Sequence, residues 1–153
     1  METFLRQHAL AGRVLEIGCG EALLQRHLSE QAYAEWIGID ISDVAISRAQ
    51  AFSGERIRYL VSDMEIFEPT GLFDAIIFTE SIYYIPNRGR QLMRYARFLQ
   101  PRGVLIVSVF ENNQSPAVWE ELHAVAKTIR HATTTNELGM WKCEVLVPRE
   151  AGR

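Results

Sequence analysis

The strongest constraint on the fold of this chain is a regular alternation between short apolar segments and segments with helical spacing. Five apolar segments of five to seven residues have the length and composition of β-strands: 14–18, 36–41, 57–61, 73–78 and 104–110. Strands that alternate with helices pair in parallel, because parallel neighbours require a crossover connection. The alternation therefore predicts an α/β fold with a mostly parallel sheet and helices on both faces.

Helical spacing between these strands predicts four helices, over residues 21–31, 43–52, 88–99 and 116–130. Ser42 can cap the second helix through its hydroxyl, and Pro101 ends the third because proline cannot continue a helix. The end of the chain breaks this rhythm. Residues 131–136 and 141–147 read as two strands joined by a tight turn at Gly139. They predict an antiparallel hairpin at the sheet edge, which makes seven strands in all.

Composition narrows the class of protein. A length of 153 residues fits one domain, 1–153 with a core of about 14–147, and 48% hydrophobic with 23% charged residues is typical of a globular chain. We expect no membrane span, because no run of eighteen apolar residues occurs, and no secretion signal at the amino terminus. Two cysteines cannot form a disulfide framework, so we expect a cytoplasmic protein. The net charge of −3 argues against a nucleic-acid partner.

Candidate ligand-binding residues follow three of the predicted strands. Gly18 and Gly20 end the first strand and allow the backbone a tight turn and close approach to a ligand. Asp40 ends the second strand, twenty positions beyond Gly20, where an acid that binds a ribose diol is expected. Asp63 follows the third strand. Each feature alone also fits an ordinary turn or helix start, but the three together favour a nucleoside site.

Four segments of the chain resemble the class I S-adenosylmethionine-dependent methyltransferases in order and spacing: LEIGCGEA, IGIDIS, LVSD and FDAIIFTESIYYI. Glu16, Gly18 and Gly20 match the E-x-G-x-G-x-G loop of that family, and Ala22 replaces its third glycine. The resemblance runs from about residue 14 to residue 147, and it implies a three-layer Rossmann-like sandwich with a terminal hairpin. The segment FTESIYYI is also similar to the nodulation N-methyltransferase and related small-molecule enzymes.

The resemblance implies S-adenosylmethionine as cofactor and assigns its methionine half to the first strand end. Gly18, Cys19 and Gly20 would lie along the methionine part, and Glu16 would help to hold the amine. Thr79, at the end of the fourth strand, would face the sulfonium. Cys19 is expected to be a packing residue rather than a nucleophile, because its neighbours supply no cation or base.

The same resemblance assigns the adenosine half to the next two strand ends. Asp40 would accept hydrogen bonds from the ribose hydroxyls, and Ile41 would pack against the adenine. Asp63 would accept from the adenine amine, and the backbone N–H of Met64 would donate to a ring nitrogen.

The segment after the fourth strand is the candidate acceptor site. Glu80, Tyr83 and Tyr84 directly follow the strand end, and Glu80 could take a proton from an amine or hold its positive charge. One of the two tyrosines is expected to be a core aromatic. The function predicted is methyl transfer to a nitrogen or oxygen of a small molecule. Few residues precede the first strand and no long insertion could form a cap. We therefore expect an acceptor site that is open, completed by a second copy or a partner subunit, or suited to a large substrate.

Three other readings stay open at this point. A nicotinamide-dependent oxidoreductase would use G-x-G-x-x-G, but Leu23 stands where its third glycine belongs, and the acids at positions 16 and 63 favour the sulfonium cofactor. The chain could instead be a cofactor-binding module that needs a partner for catalysis. It could also be a degenerate fold kept for protein interaction, although the intact site residues count against this.

The remaining polar residues carry little functional signal. The four histidines are scattered, without metal-ligand spacing to one another or to the cysteines, so no metal site is predicted. His123 is expected at the surface. Arg90, Arg94 and Arg97 fall at helical spacing, and this stripe predicts a solvated face of the helix.

Overall fold

A seven-stranded sheet forms the centre of the structure, a computed structural model that describes residues 3–4 and 12–149. The strands are β1 Arg13–Ile17, β2 Glu35–Asp40, β3 Ile57–Val61, β4 Phe73–Thr79, β5 Leu99–Phe110, β6 Ala126–Asn136 and β7 Gly139–Pro148. Their order in the sheet is β3-β2-β1-β4-β5-β7-β6. The first five strands pair in parallel, and β7 pairs antiparallel with both β5 and β6. The predicted α/β class, the seven strands and the antiparallel hairpin are confirmed.

The strand order determines where a ligand can bind. The chain moves from β1 through β2 to β3 on one side of the sheet, then returns to the other side of β1 for β4 and β5. Ile17 aligns with Ile39 of β2 and with Phe78 of β4, so the carboxyl ends of these three strands meet along one edge. The crossovers leave β1 on opposite sides here, and this switch point is where open α/β sheets bind ligands.

Four α-helices, α1 Leu23–Arg26, α2 Asp43–Ala49, α3 Arg88–Ala96 and α4 Ser115–Val125, lie among the described residues, with 3₁₀ turns at Glu30–Ala32, Gln50–Phe52 and Ile82–Tyr84. The Ser42 hydroxyl accepts a hydrogen bond from the Ala45 N–H at 3.1 Å, which confirms the predicted cap of α2. Leu92, Tyr95 and Leu122 of α3 and α4 pack on one face of the sheet, and Ile46 and Ala49 of α2 pack on the other.

All four predicted helices are longer than the observed α-helices, and the one expected over 43–52 ends at Ala49, followed by the 3₁₀ turn Gln50–Phe52. The helix expected over 21–31 is a single α-turn, because Ala22 has a positive φ of 65° and the helix begins only after it. The helix expected over 116–130 ends at Val125, since the residues that follow form β6, which pairs with the whole length of β7. The third ends at Ala96, and Pro101 lies inside β5 rather than directly after the helix.

Gly38 allows the glycine loop after β1 to pack closely on β2. A Cβ at this position would lie 2.7 Å from Cδ1 of Tyr59 and 2.9 Å from both Cβ and Sγ of Cys19. The Tyr59 ring cannot easily move away, because its hydroxyl donates a buried hydrogen bond to Gln25 at 3.0 Å. Any side chain at position 38 would therefore displace Cys19, a residue of the loop itself.

Gly38→Ala should lower the free energy of unfolding by roughly 1–3 kcal/mol, the usual cost of overpacking a dense core. Urea denaturation followed by circular dichroism measures this difference. Gly54→Ala is the matched control, because no heavy atom lies within 4 Å of a Cβ at that position. Equal stability of the two variants would contradict the packing argument.

Candidate active site

An open cleft of about 300 Å³ lies at the carboxyl edge of the sheet, beside the switch point. Its volume is at the lower end of the range typical of small-molecule sites. The cleft is lined by strand ends and the loops that follow them: Gly18, Ile39, Asp40, Ile41, Ser62, Asp63, Met64, Glu65, Thr79, Glu80, Ser81, Tyr84 and Ile85. Most of the residues predicted from the sequence are therefore brought together in one place.

The glycine loop is held by hydrogen bonds to the end of β2. The N–H groups of Gly18 and Cys19 both donate to the Ile39 carbonyl, at 2.8 and 3.0 Å. Gly18 has a φ of 77°, and a Cβ on it would lie 2.4 Å from Cβ of Ser81. Gly20 has a φ of 52° and open space within 4 Å of its Cβ position, so the loop leaves room beside it for a ligand.

Asp40 connects the end of β2 to this loop. Its Oδ2 accepts a hydrogen bond from the Gly20 N–H and its Oδ1 accepts from the Ser42 N–H, both at 2.9 Å. The carboxylate therefore faces the cleft at the start of α2. The next residue, Ile41, is 71% exposed although it is apolar, and it forms one wall of the cleft.

Asp63 and Met64 form a turn two residues beyond the end of β3. Asp63 Oδ1 accepts from the Glu65 N–H at 2.8 Å, and its backbone carbonyl accepts from the Phe67 N–H at 2.9 Å. The Met64 carbonyl points away to helix α3, where it accepts hydrogen bonds from Arg94 and Tyr95 at 3.0 and 2.8 Å.

Glu16 is a fully buried acid beneath the glycine loop. Its Oε1 accepts a hydrogen bond from the Thr79 hydroxyl at 2.9 Å. Its Oε2 makes no hydrogen bond of normal geometry to any residue of 3–4 and 12–149, although the Trp36 indole is close enough to lower the pKa of Glu16. Burial raises the pKa of Glu16 to about 8, against the opposing effect of the Thr79 hydrogen bond. Glu16 does not line the cleft itself, and the Thr79 side chain connects it to the cleft.

Glu80 spans the ends of β4 and β5. Its Oε1 accepts from the Ser108 hydroxyl, and its Oε2 accepts from the Phe110 N–H at 2.7 Å and from the Tyr83 hydroxyl at 3.4 Å. Its φ of 48° is uncommon for a residue with a side chain. Burial and the adjacent Glu80 carboxylate raise the pKa of Tyr83, so its hydroxyl stays protonated. Tyr84 is 76% exposed at the mouth of the cleft, with its ring centroid 4.6 Å from that of Tyr83.

Several contacts at the cleft were not found from the sequence. Ser81 donates to the Ile17 carbonyl at 2.7 Å and packs on Gly18, and Ser108 binds Glu80. A single serine carries no spacing signal, so only the tertiary structure shows these roles. The prediction of a solvated arginine stripe is wrong for Arg94, whose side chain is 20% exposed and hydrogen-bonded to backbone carbonyls, while Arg90 and Arg97 are exposed.

Cys19 and His123 lie apart from any nucleophilic arrangement. Cys19 is buried, and burial raises its pKa well above the usual range, so the thiol stays protonated and packs as predicted. His123 is partly exposed and hydrogen-bonds Glu144 at 2.7 Å through Nε2.

Within residues 3–4 and 12–149, no three metal-ligating side chains cluster. In the same part of the chain, no helix has the length and apolarity needed to span a bilayer.

The strand order, the glycine loop and the acids at successive strand ends define a nucleoside-binding α/β protein of the Rossmann-like type. The chain belongs to the methyltransferase domain family, whose model matches residues 2–144. This match confirms the resemblance to class I S-adenosylmethionine-dependent methyltransferases that the sequence motifs indicated.

Individual relatives agree with this assignment. A ubiquinone biosynthesis O-methyltransferase from Bradyrhizobium diazoefficiens is 34% identical over 104 residues, which are 66% of this chain and 41% of that enzyme. The structure of the N-methyltransferase NodS from Bradyrhizobium japonicum WM9 with S-adenosyl-L-homocysteine superimposes with a TM-score of 0.79 at 19% identity, over 97% of this chain and 86% of NodS.

A second similar structure comes from the complex between the Haloferax volcanii Trm112 methyltransferase activator and a putative methyltransferase. It has a TM-score of 0.77 at 15% identity, over 99% of this chain and 90% of that one. At these identities the two structural likenesses establish the fold. The chain spans only about two-fifths of the length of the ubiquinone O-methyltransferase.

The pKa of Glu16 predicts how stability depends on pH. Below its unfolded pKa of 4.5, Glu16 is protonated in both states. As the pH rises towards about 8, the unfolded chain releases this proton while the folded protein keeps it. Glu16 therefore lowers the free energy of unfolding progressively across this range, by up to about 1.4 kcal/mol per pH unit.

Glu16→Gln removes this proton but keeps an oxygen that can accept from Thr79. Its stability relative to wild type should increase from pH 5 to pH 8, measured by urea denaturation at each pH. Parallel pH profiles for the two proteins would show that Glu16 ionises normally in the folded state.

Proposed function

We propose that this protein binds S-adenosylmethionine and transfers its methyl group to a nitrogen or oxygen atom of a small-molecule acceptor. Membership in the methyltransferase domain family supports this activity. The single observation that carries the proposal is the position of Asp40. Its carboxylate ends β2 and accepts the Gly20 N–H across the glycine loop, in a cleft at the switch point of the sheet.

The residues of the cleft fit this cofactor chemically. Asp40 and Asp63 present carboxylate oxygens, which accept hydrogen bonds. The ribose hydroxyls can donate to Asp40, and the adenine amine can donate to Asp63. Ile41 offers an exposed apolar surface on which the adenine ring can pack. The Met64 N–H makes no hydrogen bond to the residues that the structure describes, so it can donate to a ring nitrogen.

The methionine half fits the other side of the cleft. Gly18, Cys19 and Gly20 form a loop with room beside Gly20, and Glu16 lies buried beneath it, so it would act on the cofactor's ammonium group through an intervening polar group. Thr79 hydrogen-bonds Glu16 and lines the cleft, so it connects the buried acid to the ligand.

The charge of the cleft favours a cationic cofactor over a dinucleotide. Four of the thirteen lining residues are acids, and no Lys or Arg is among these described residues. A sulfonium with an ammonium group is attracted to such a site, whereas the pyrophosphate of a nicotinamide dinucleotide would be repelled. The electrostatics therefore support the methyltransferase reading against the oxidoreductase alternative.

When bound, S-adenosylmethionine supplies a methyl group on a positively charged sulfur that a lone pair can displace in line. The protein's main task is to align the acceptor with that methyl group, and such positioning can supply several kcal/mol. In our proposal Tyr83 and Tyr84 line the acceptor site with Glu80. Glu80 accepts the proton that an amine or hydroxyl acceptor loses, or holds the positive charge of an amine.

The acceptor side of the cleft also supports a role for a partner. Tyr84 lies exposed at its mouth, so a second copy or a partner subunit could complete the site. One structural neighbour was determined in a complex with a methyltransferase activator. The alternative proposal is therefore a cofactor-binding module that is active only with a partner. A screen of small amines and phenols against the isolated chain separates the two proposals.

The single domain expected for residues 1–153 stays a prediction.

Cofactor binding is tested by calorimetric titration with S-adenosylhomocysteine. Asp40→Ala removes two hydrogen-bond acceptors and the contact with Gly20, and should weaken binding by about 100-fold. Asp43→Ala is the matched control, because Asp43 is an exposed acid three residues further along the chain, at the start of helix α2. Equal affinities in the two variants, or no binding to wild type, would contradict the proposed function.

Glu80→Gln tests the acceptor site with any acceptor that the wild-type chain methylates in the screen. At saturating cofactor, kcat should fall by about 100-fold, because an amide cannot take a proton. The affinity for S-adenosylhomocysteine should change little. Glu137→Gln, at the exposed tip of the β6–β7 hairpin, serves as the control. Unchanged turnover of Glu80→Gln would remove this residue from the mechanism.

A further inference from the structure

Two adjacent side chains of α3 reach across to the turn after β3. Arg94 donates from Nη1 to the Met64 carbonyl at 3.0 Å and from Nη2 to the Phe67 carbonyl. Tyr95 donates from its hydroxyl to the same Met64 carbonyl at 2.8 Å. The Met64 oxygen therefore has both lone pairs occupied, and residues 64 and 67 are held by one helix.

The two side chains are themselves fixed. The Tyr95 ring is fully buried and packs edge-on against Phe78 of β4, with ring centroids 5.4 Å apart. The Arg94 guanidinium lies 4.9 Å from the centroid of the Tyr95 ring. Because β4 is a central strand, this arrangement connects the turn rigidly to the sheet.

The turn held in this way carries two neighbouring groups that are free to hydrogen-bond, one an acceptor and the other a donor. Asp63 Oδ1 is used internally by the Glu65 N–H, while no hydrogen bond to Oδ2 occurs among residues 3–4 and 12–149. The Met64 N–H is likewise unused by the described residues. An acceptor and a donor on adjacent residues match the amine and neighbouring ring nitrogen of adenine.

We propose that Arg94 and Tyr95 are positioning residues that hold the Asp63–Met64 turn in the orientation needed to distinguish adenine from other purines. The inference rests on the proposed function, because it assumes that this turn binds the cofactor's base. A turn that is already ordered does not lose conformational entropy on binding. It also cannot rearrange to accept a wrong base, so an incorrect group leaves a polar atom unpaired.

The experiment compares two ligands by calorimetry. S-adenosylhomocysteine carries the adenine amine, and S-inosylhomocysteine carries a carbonyl oxygen in its place. Wild type should bind the adenosyl ligand about 100-fold more tightly, because the carbonyl would face the Asp63 carboxylate. In Tyr95→Phe and Arg94→Gln, the ratio of the two affinities should fall to about tenfold. Tyr95→Phe keeps the buried ring and loses one hydrogen bond that fixes the turn, and Arg94→Gln loses two.

Arg97→Gln is the matched control, because Arg97 directly follows the last residue of the same helix, α3, but is exposed. Its ligand ratio should equal that of wild type. Thermal denaturation of each variant separates stability from selectivity. If Tyr95→Phe and Arg94→Gln are less stable but keep the wild-type ratio, the two residues are only structural and the inference is overturned.

The other outcomes separate this inference from the proposed function. Wild type that binds neither ligand would overturn the proposed function. Wild type that binds both ligands equally would overturn the assignment of the base to Asp63 and Met64, and with it this inference, while the methyltransferase proposal would stand.

Discussion

The end of strand β2 holds the glycine loop, and the whole site depends on this interaction. Gly18 and Cys19 donate to the Ile39 carbonyl, and Gly20 donates to the Asp40 carboxylate. Three successive N–H groups can point at one strand end only because Gly18 and Gly20 adopt positive φ angles. The glycine loop is therefore an extension of the sheet, and its position follows directly from the register of β1 and β2.

Helix α3 supports both sides of the cleft. At its start, Arg88 pairs with Glu121 of α4 at 2.7 Å and reaches the Tyr83 carbonyl at 3.4 Å. At its end, Arg94 and Tyr95 hold the turn after β3. The loop proposed to bind the acceptor and the turn proposed to bind the base are thus fixed to the same helix, so their relative positions are set before any ligand binds.

The site combines half-buried acids at the cleft with one fully buried acid, and the two kinds behave differently. Asp40 has its oxygens paired with backbone N–H groups at the cleft. Glu16 is buried with an unsatisfied oxygen, and burial raises its pKa. A cationic group that approached Glu16 would favour its ionised form, because an opposite charge nearby lowers the pKa of a carboxyl. The proposed cofactor carries such a group in its ammonium.

The sequence alone determined the α/β class, the hairpin and the acids at the strand ends, because hydrophobic periodicity and glycine spacing are local signals. It also placed Asp40, Asp63 and Glu80 correctly at or just beyond the carboxyl ends of their strands. Only the tertiary structure showed that Arg94 binds the Met64 carbonyl and that Ser108 binds Glu80, and that the first helix shortens to one turn. These features depend on contacts and backbone angles that arise only when the chain folds, and no spacing along the chain records them.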